Sequence, residues 1–521
     1  MSTPFEPPDR LPLASARELA RARVARWPRY VIVAGGAAYG VLVIAAGFTA
    51  SFELLESAAL IPVLAWISYS IAKRIGDWDQ DRTMVSLVMA AFAAKLMGTL
   101  VRAVVVSSFY NGRSDADDFH KFGQAYAPQF RRLDFSGVAS WSGTGFLRGL
   151  TGLVYSVTGA SQVSGAIFMS FISFLGLLLL WRAFRRAVPG GADRRYALLV
   201  LFLPSLLYWP SSIGKEAWAI LCLGIASYGV ACVLTSSIVR GGGLFILGLS
   251  GVTLLRPHVA LTMFSGVALA AAVGKSQRPG AKSGILRLIL FGSLVVVGTS
   301  LASSTASFFG AQRLDLETGN QILNEAEGRT SEAGSTFTPV RMSNPINAPF
   351  AIVTVLFRPF PFEAGSPIAL VSSLEGVFLM VMVYRSRSRL RALLRYARRT
   401  PYIAYCFGTM MTFTFAFSSF SNFGILARQR TQVLPFFLAL VCLPEWNREG
   451  SMTAEEAIAA RDAPSDPPFL EPDTTNDVQP TDRSSPGYAP TTDPYSQFND
   501  DVDPYERFRD QVERNPEDAR E

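Results

Sequence analysis

Histidine is almost missing from this chain: His120 and His258 are the only two among 521 residues. Cysteine is scarce as well, and Cys222, Cys232, Cys406 and Cys442 all lie inside apolar runs. No Cys/His spacing fits a metal site, and none of the thiols is placed to staple an external loop, so they read as small core residues. There is no glycine-rich phosphate loop ahead of a helix and no internal repeat, which argues against nucleotide-driven pumping by this chain alone.

What the chain has in quantity is apolar sequence. Hydrophobic residues make up 50% of it, and long apolar runs recur from about residue 30 to residue 443. Many approach the roughly 20 residues that cross a bilayer as a helix. The runs at 30–50, 54–72, 84–109, 161–181, 196–211, 216–236, 243–256, 258–274, 284–305, 366–384, 401–420 and 431–443 predict an all-α, polytopic membrane helical bundle of about twelve spans. Those at 196–211, 243–256 and 431–443 are short for a span and fit half-helices or re-entrant turns.

Arginine sets the expected orientation. Connections carrying Lys73, Arg74 and Arg82, then Arg182, Arg185, Arg186, Arg194 and Arg195, then Lys275, Arg278, Lys282 and Arg287, then Arg385 through Arg399, alternate with connections poorer in positive charge. The positive-inside rule makes the basic set cytoplasmic and both termini cytoplasmic with it, in a multi-pass protein of the cell membrane. The leader, residues 1–29, holds Arg17, Arg21, Arg23 and Arg26 among Leu19, Ala20, Val24 and Trp27, a basic amphipathic pattern suited to an anionic leaflet. The first apolar run is full length behind that leader, so no cleavable signal peptide is expected. Beyond the membrane domain, 30–443, residues 444–521 turn to Asp, Glu, Pro, Ser and Thr and predict a disordered cytoplasmic tail. That tail is a solvated linker or, through Tyr488, Tyr495, Tyr505 and Phe508, a docking segment for a cytoplasmic partner. The bilayer is the other expected partner, and nucleic acid is not one.

The outer connections, chiefly 110–158 and 307–362, collect the scarce proton-moving groups. Asp115, Asp117, Asp118 and His120 follow one span, as candidate catalytic groups on a loop just outside a helix end. The Asp-x-Asp spacing of Asp115 and Asp117 also suits a divalent cation, and no other cofactor is expected. The same run equally fits the N-cap of a helix starting near Phe119. Arg102, Lys215, Glu216, Arg256, His258, Arg358, Arg428 and Arg430 lie near the same interface. Arginine at membrane depth is costly unless it meets an anion, and its fork grips phosphate, so this set describes a pocket for an anionic, lipid-linked substrate. Snorkelling, or pairing with a neighbouring acid, is the alternative for each. Lys95, deeper on the face it shares with Arg102, fits a structural ion pair with an acid such as Glu216 or Glu375.

The segment SDADDFHKFG behind a hydrophobic span, followed by an amphipathic stretch from Phe146 to Thr158 and many further spans, resembles the GT-C superfamily of polyprenyl-phosphate-sugar-dependent glycosyltransferases. The segments LPSLLYWPSSIGKEA, LLRPHVAL and NFGILARQRTQVLPF are similar to runs in bacterial envelope-polysaccharide proteins, including Wzy-type polymerases. The likeness covers about residues 84–443, and two spans precede the one leading into the acidic loop where that superfamily usually has a single span. The GT-C resemblance implies a base at Asp115, with Asp117 or Asp118 as alternatives, and inversion at the anomeric carbon of a polyprenyl-phosphate-linked sugar passed to a glycan, lipid or protein acceptor. The polymerase resemblance shifts weight to Arg256 and Arg428. A lipid-linked saccharide transporter, with Lys95 as its mid-membrane charge, and a non-catalytic scaffold are the other readings. The stretch 307–347 would be a lid or an acceptor-binding loop.

Topology is checked on intact cells with an impermeant thiol reagent. A cysteine at position 320 should label and one at position 390 should not; the reverse pattern inverts the orientation.

Overall fold

The computed structural model describes residues 27–49, 51–110, 114–273, 298–305, 336–342 and 345–444, with positions 324, 327, 328 and 330 between them. Most of the leader, the basic connection at 275–287 with most of the run expected at 284–305, most of the stretch 307–347, and the tail from residue 445 lie outside the described residues. All described residues belong to the first of two units, 1–462, and the second, 463–521, lies outside them.

The described chain is helical. In order it forms α1 (Trp27–Thr49), α2 (Phe52–Trp78), α3 (Thr83–Phe109), α4 (Asp115–Phe130), α5 (Gly143–Thr158), α6 (Gln162–Ala187), α7 (Asp193–Phe202), α8 (Pro204–Tyr208), α9 (Lys215–Thr235), α10 (Ile238–Leu255), α11 (Pro257–Val273), α12 (Ala348–Phe357), α13 (Pro367–Arg385), α14 (Arg387–Arg391), α15 (Leu393–Arg399), α16 (Pro401–Phe417), α17 (Phe423–Arg430) and α18 (Leu434–Val441). Among the described residues the extended pairing is confined to one bridge, Thr336 with Asn422.

Seven of these helices, α1, α2, α3, α6, α9, α10 and α13, are long and apolar enough to cross a membrane. The run expected at 243–256 is one of them, because Ser237 accepts from the Arg240 amide and starts the helix at Ile238. The runs at 258–274 and 401–420 form α11 and α16, each 17 residues long. Two expected spans are instead interrupted. Pro204 has no N–H and biases Leu203 away from helix, at φ −62° and ψ 129°, so the chain breaks between α7 and α8. Pro435 in the first turn of α18 similarly follows the break after α17.

Inside a bilayer a broken helix leaves backbone groups that no water satisfies. Buried charges serve these ends. Lys95 of α3 donates to the carbonyl of Leu206 at 2.7 Å, and Arg102, two turns on, to that of Trp209 at 2.5 Å. Lys95 thus pairs with helix-end carbonyls, which carry partial negative charge, and not with Glu216 or Glu375. Glu375 of α13 accepts from the Ser205 amide at 2.7 Å, in the first turn of α8. Arg430 is fully buried and donates to Leu356 O at 3.0 Å and Arg358 O at 2.9 Å, at the end of α12, with Glu375 3.6 Å away. Gly98 lets α3 approach α8, since a Cβ there would strike the Leu207 carbonyl. Gly176 and Gly224 do the same for α6 and α9, each facing the other helix's backbone.

The described arginine-rich connections gather at one end of the bundle. Arg182 and Arg185 pair with Asp79 at 2.5 and 3.1 Å, Arg194 lies 3.5 Å from Asp81, and Arg195 donates to Ser386 Oγ at 2.8 Å. From Thr83 at that end, α3 runs 27 residues to Phe109. At about 1.5 Å per residue it carries the chain roughly 40 Å to the acidic segment that opens α4.

Arg430→Met should lower stability by about 3–5 kcal/mol, because Glu375 is left buried without its cation. Adding Glu375→Leu should recover part of that loss. Thermal unfolding in detergent measures both, and a single variant as stable as the parent would mean that Arg430 does not hold this join.

Candidate functional site

Opposite the arginine-rich end, several helix termini meet. The acids of SDADD fall in the first turn of α4, where the helix dipole favours negative charge. Ser114 is extended, at φ −152°, and Asp117 accepts from its amide at 2.7 Å while its other oxygen accepts from Gln162 Nε2 at 2.8 Å. Asp117 therefore caps α4 and ties it to α6. Arg256 is placed by the proline that follows it, which ends α10 and begins α11. Trp218 Nε1 donates to Gly251 O at 2.8 Å and holds the start of α9 beside the end of α10. Asn422 caps α17 by accepting from the Ile425 amide at 3.0 Å, and Arg428 follows on that short helix.

At the centre is Glu216, 1% exposed in the first turn of α9. Arg256 NH2 donates to its Oε1 at 2.6 Å, and Arg428 Nε lies 2.8 Å from the same oxygen. Arg428 NH1 then reaches out to Asp115 Oδ2 at 2.7 Å. One buried carboxylate so gathers two arginines, one from the α10–α11 junction and one from α17, and the second carries the link to an acid whose side chain is 65% exposed. Glu216 raises the Arg428 guanidinium above its ordinary range, and Asp115 adds to the effect.

A cavity of about 490 Å³ opens over this network, lined by Asp115, Asp118, Lys215, Arg256 and Arg428 together with Thr144 and Gln429. Lys215 donates to Thr144 Oγ1 at 2.9 Å, which joins the N-terminus of α9 to that of α5. Asp118 is gripped by Arg148 through Nε at 3.0 Å and NH2 at 2.8 Å, and that guanidinium stacks on Phe122 at 3.8 Å. Three helix N-termini, of α4, α5 and α9, thus give lining residues to one cavity, and each adds partial positive charge.

Asp115, Asp118, Lys215, Arg256 and Arg428 of the sequence-derived set meet at this cavity, with Glu216 beneath it. Asp117 is engaged as a cap. His120 accepts or donates through Nδ1 to Tyr155 Oη at 2.7 Å, and burial lowers its imidazole from the ordinary value against the pull of Glu53 and Asp117. His258 packs its ring 5.7 Å from that of Phe417. Arg102 and Arg430 point to the carbonyls described above. Arg358 pairs with Glu363 at 2.5 Å and lies over Phe337 at 4.4 Å. Among the described residues no group of three or more His, Cys, Asp or Glu is arranged to hold a metal ion. A larger cavity, about 640 Å³, lies before α17 and includes Asn324, Glu327, Arg341 and Ser421, but its Arg341 is already paired with Glu327 and Asn324.

Thr144, Arg148 and Gln429 were not singled out from the sequence. Arg148 had a usable signal as the single charged residue of the α5 segment. Thr144 and Gln429 had none. Comparisons with protein-family models, with curated proteins and with solved structures give no match, so a functional reading rests on this geometry.

Glu216→Gln should cost about 3–5 kcal/mol in thermal unfolding, since buried Arg256 and half-buried Arg428 lose the counter-charge they share. Asp115→Asn, at the exposed end of the same chain of contacts, should change stability by no more than about 1 kcal/mol. Equal losses would contradict the buried-centre, exposed-rim description.

Proposed function

We propose that this chain is a membrane glycosyltransferase that moves a sugar from a polyprenyl-phosphate-linked donor to an envelope glycan, lipid or protein acceptor on the outer face of the cell membrane. Both termini are then cytoplasmic. The observation that carries the reading is that Asp115 and a set of cations, Lys215, Arg256 and Arg428, line one cavity at the end of the bundle opposite the arginine-rich connections. A transfer of this kind needs one base and one anion clamp, within reach of each other.

Asp115 takes the proton of the acceptor hydroxyl. The acceptor oxygen forms its bond to the anomeric carbon as the bond from that carbon to the phosphate oxygen breaks, with inversion. The electron pair leaves on the polyprenyl phosphate, whose added negative charge falls among the arginines and Lys215. A phosphate leaving group needs little protonation, so the fixed cations replace a general acid. The partly described stretch near Glu327 and Arg341 is the natural place for the acceptor, because its cavity abuts Ser421 at the start of α17 while Arg428 lies further along the same helix.

A Wzy-type polymerase, in which the acceptor is itself a lipid-linked saccharide, is a second reading, supported by the way Glu216 draws Arg256 and Arg428 together. Transport is less well supported, since Lys95, its mid-membrane candidate, is committed to the carbonyls of α8.

In membranes carrying the protein at equal abundance, Asp115→Asn should reduce sugar transfer from polyprenyl-phosphate donors by about 10²–10⁴-fold. Arg256→Lys and Arg428→Lys should also lose transfer, because lysine keeps the charge without the fork. Arg389→Lys in the opposite, basic run should leave it unchanged. Full transfer by the three site variants removes the glycosyltransferase reading.

A further inference from the structure

Glu216 uses its Oε1 to hold NH2 of Arg256 and the Nε side of Arg428. That leaves Arg256 NH1 without a hydrogen-bond partner among the described residues, although the side chain is only 7% exposed and lines the cavity. A charged donor buried without an acceptor is costly, and a ligand oxygen is what would remove the cost. Arg428 is different. Its inner edge is fixed on Glu216, but its NH1 rests on Asp115, whose carboxylate is 65% exposed and has no second cation among its described contacts. Lys215 completes the set from the N-terminus of α9, where its ammonium sits on the Thr144 hydroxyl at 2.9 Å.

These cations come from three separate segments and surround a cavity that also receives three helix N-termini. A carboxylate has two oxygens to share among them. A phosphate monoester or a diphosphate offers at least three, one for each.

We propose that Lys215, Arg256 and Arg428 form a phosphate subsite, and that Asp115, resting on Arg428, takes the place of a ligand oxygen. Phosphate binding then displaces the carboxylate from Arg428 and leaves it free. The subsite stands on the geometry alone, while the use of the released carboxylate as a base rests on the function proposed above. An exposed pair such as Asp115–Arg428 contributes little, whereas phosphate meets Arg428 and the unpaired Arg256 NH1 together, so exchange favours the ligand. Donor binding and base release thereby become one event, and an acceptor arriving first meets a carboxylate still held by arginine.

The test is binding, measured by calorimetry on the full chain in detergent with inorganic diphosphate and with farnesyl diphosphate. Removing the internal competitor with Asp115→Asn should tighten both by about three- to tenfold, since the unliganded site no longer has to give up a contact. Asp117→Asn makes the same charge change two residues away on a side chain held by Ser114 and Gln162, and should leave affinity unchanged. Arg256→Lys should weaken binding more than about tenfold. Unchanged or weaker binding by Asp115→Asn overturns the proposal, and so does an equal gain from Asp117→Asn, which would reduce the effect to bulk charge. If Asp115→Asn binds more tightly yet transfers sugar normally, the subsite stands and the base assignment fails. Tighter binding of farnesyl diphosphate than of inorganic diphosphate assigns the phosphate to a lipid; equal binding keeps the subsite and removes the lipid-linked donor.

Discussion

The site depends on one carboxylate buried where water cannot solvate it. Glu216 is affordable at 1% exposure only because two guanidiniums converge on it, and those guanidiniums are in turn held at fixed positions by the need to neutralise it. The helix start beneath it contributes in the same direction, since a negative charge in the first turn of α9 meets unpaired amides. Everything that faces the cavity, from the orientation of Arg428 to the exposure of Asp115, follows from that arrangement. An apolar residue at position 216 would pack as well and would leave the arginines with no reason to meet.

The other buried charges obey a different requirement. Lys95, Arg102, Glu375 and Arg430 each contact backbone groups released where α7 and α8, or α12, end within the bundle. Burial does not separate the two sets, because Arg430 and Arg256 are both almost fully buried. What separates them is what they border. Arg430 keeps an unpaired Nε but turns NH1 to two carbonyls inside the protein, whereas Arg256 keeps an unpaired NH1 and lines the cavity over Glu216.

Much of the architecture was legible in the sequence, since helix length and hydropathy follow directly from composition over 18 or more residues. The interrupted spans were half legible. The shortness of the run at 196–211 pointed to a break, but the short run near residue 243 hid a full helix, because the cap at Ser237 lies outside the apolar stretch. Within the site, residue type found the arginines and local spacing found the acids. Neither distinguishes Arg256 from Arg430, since both stand beside helix breaks in similar sequence, and only tertiary contact reveals which one faces a carbonyl. Asp117 shows the same limit: its place in the run set it beside Asp115, its capping of α4 through the Ser114 amide is local, and its tie to α6 depends on Gln162, 45 positions away.

The glycine contact between α6 and α9 has a further consequence. Asp117 fastens the acidic turn to the start of α6 through Gln162, while Lys215 and Glu216 begin α9, so the acidic turn and these two residues stand on one closely packed helix pair. Bilayers differ by several ångströms in thickness, and membrane helices answer by tilting against one another. A pair joined backbone to backbone at Gly176 and Gly224 tilts as a single body. The spacing between the acidic turn and the Lys215–Glu216 start of α9 is therefore insulated from the thickness of the membrane around it.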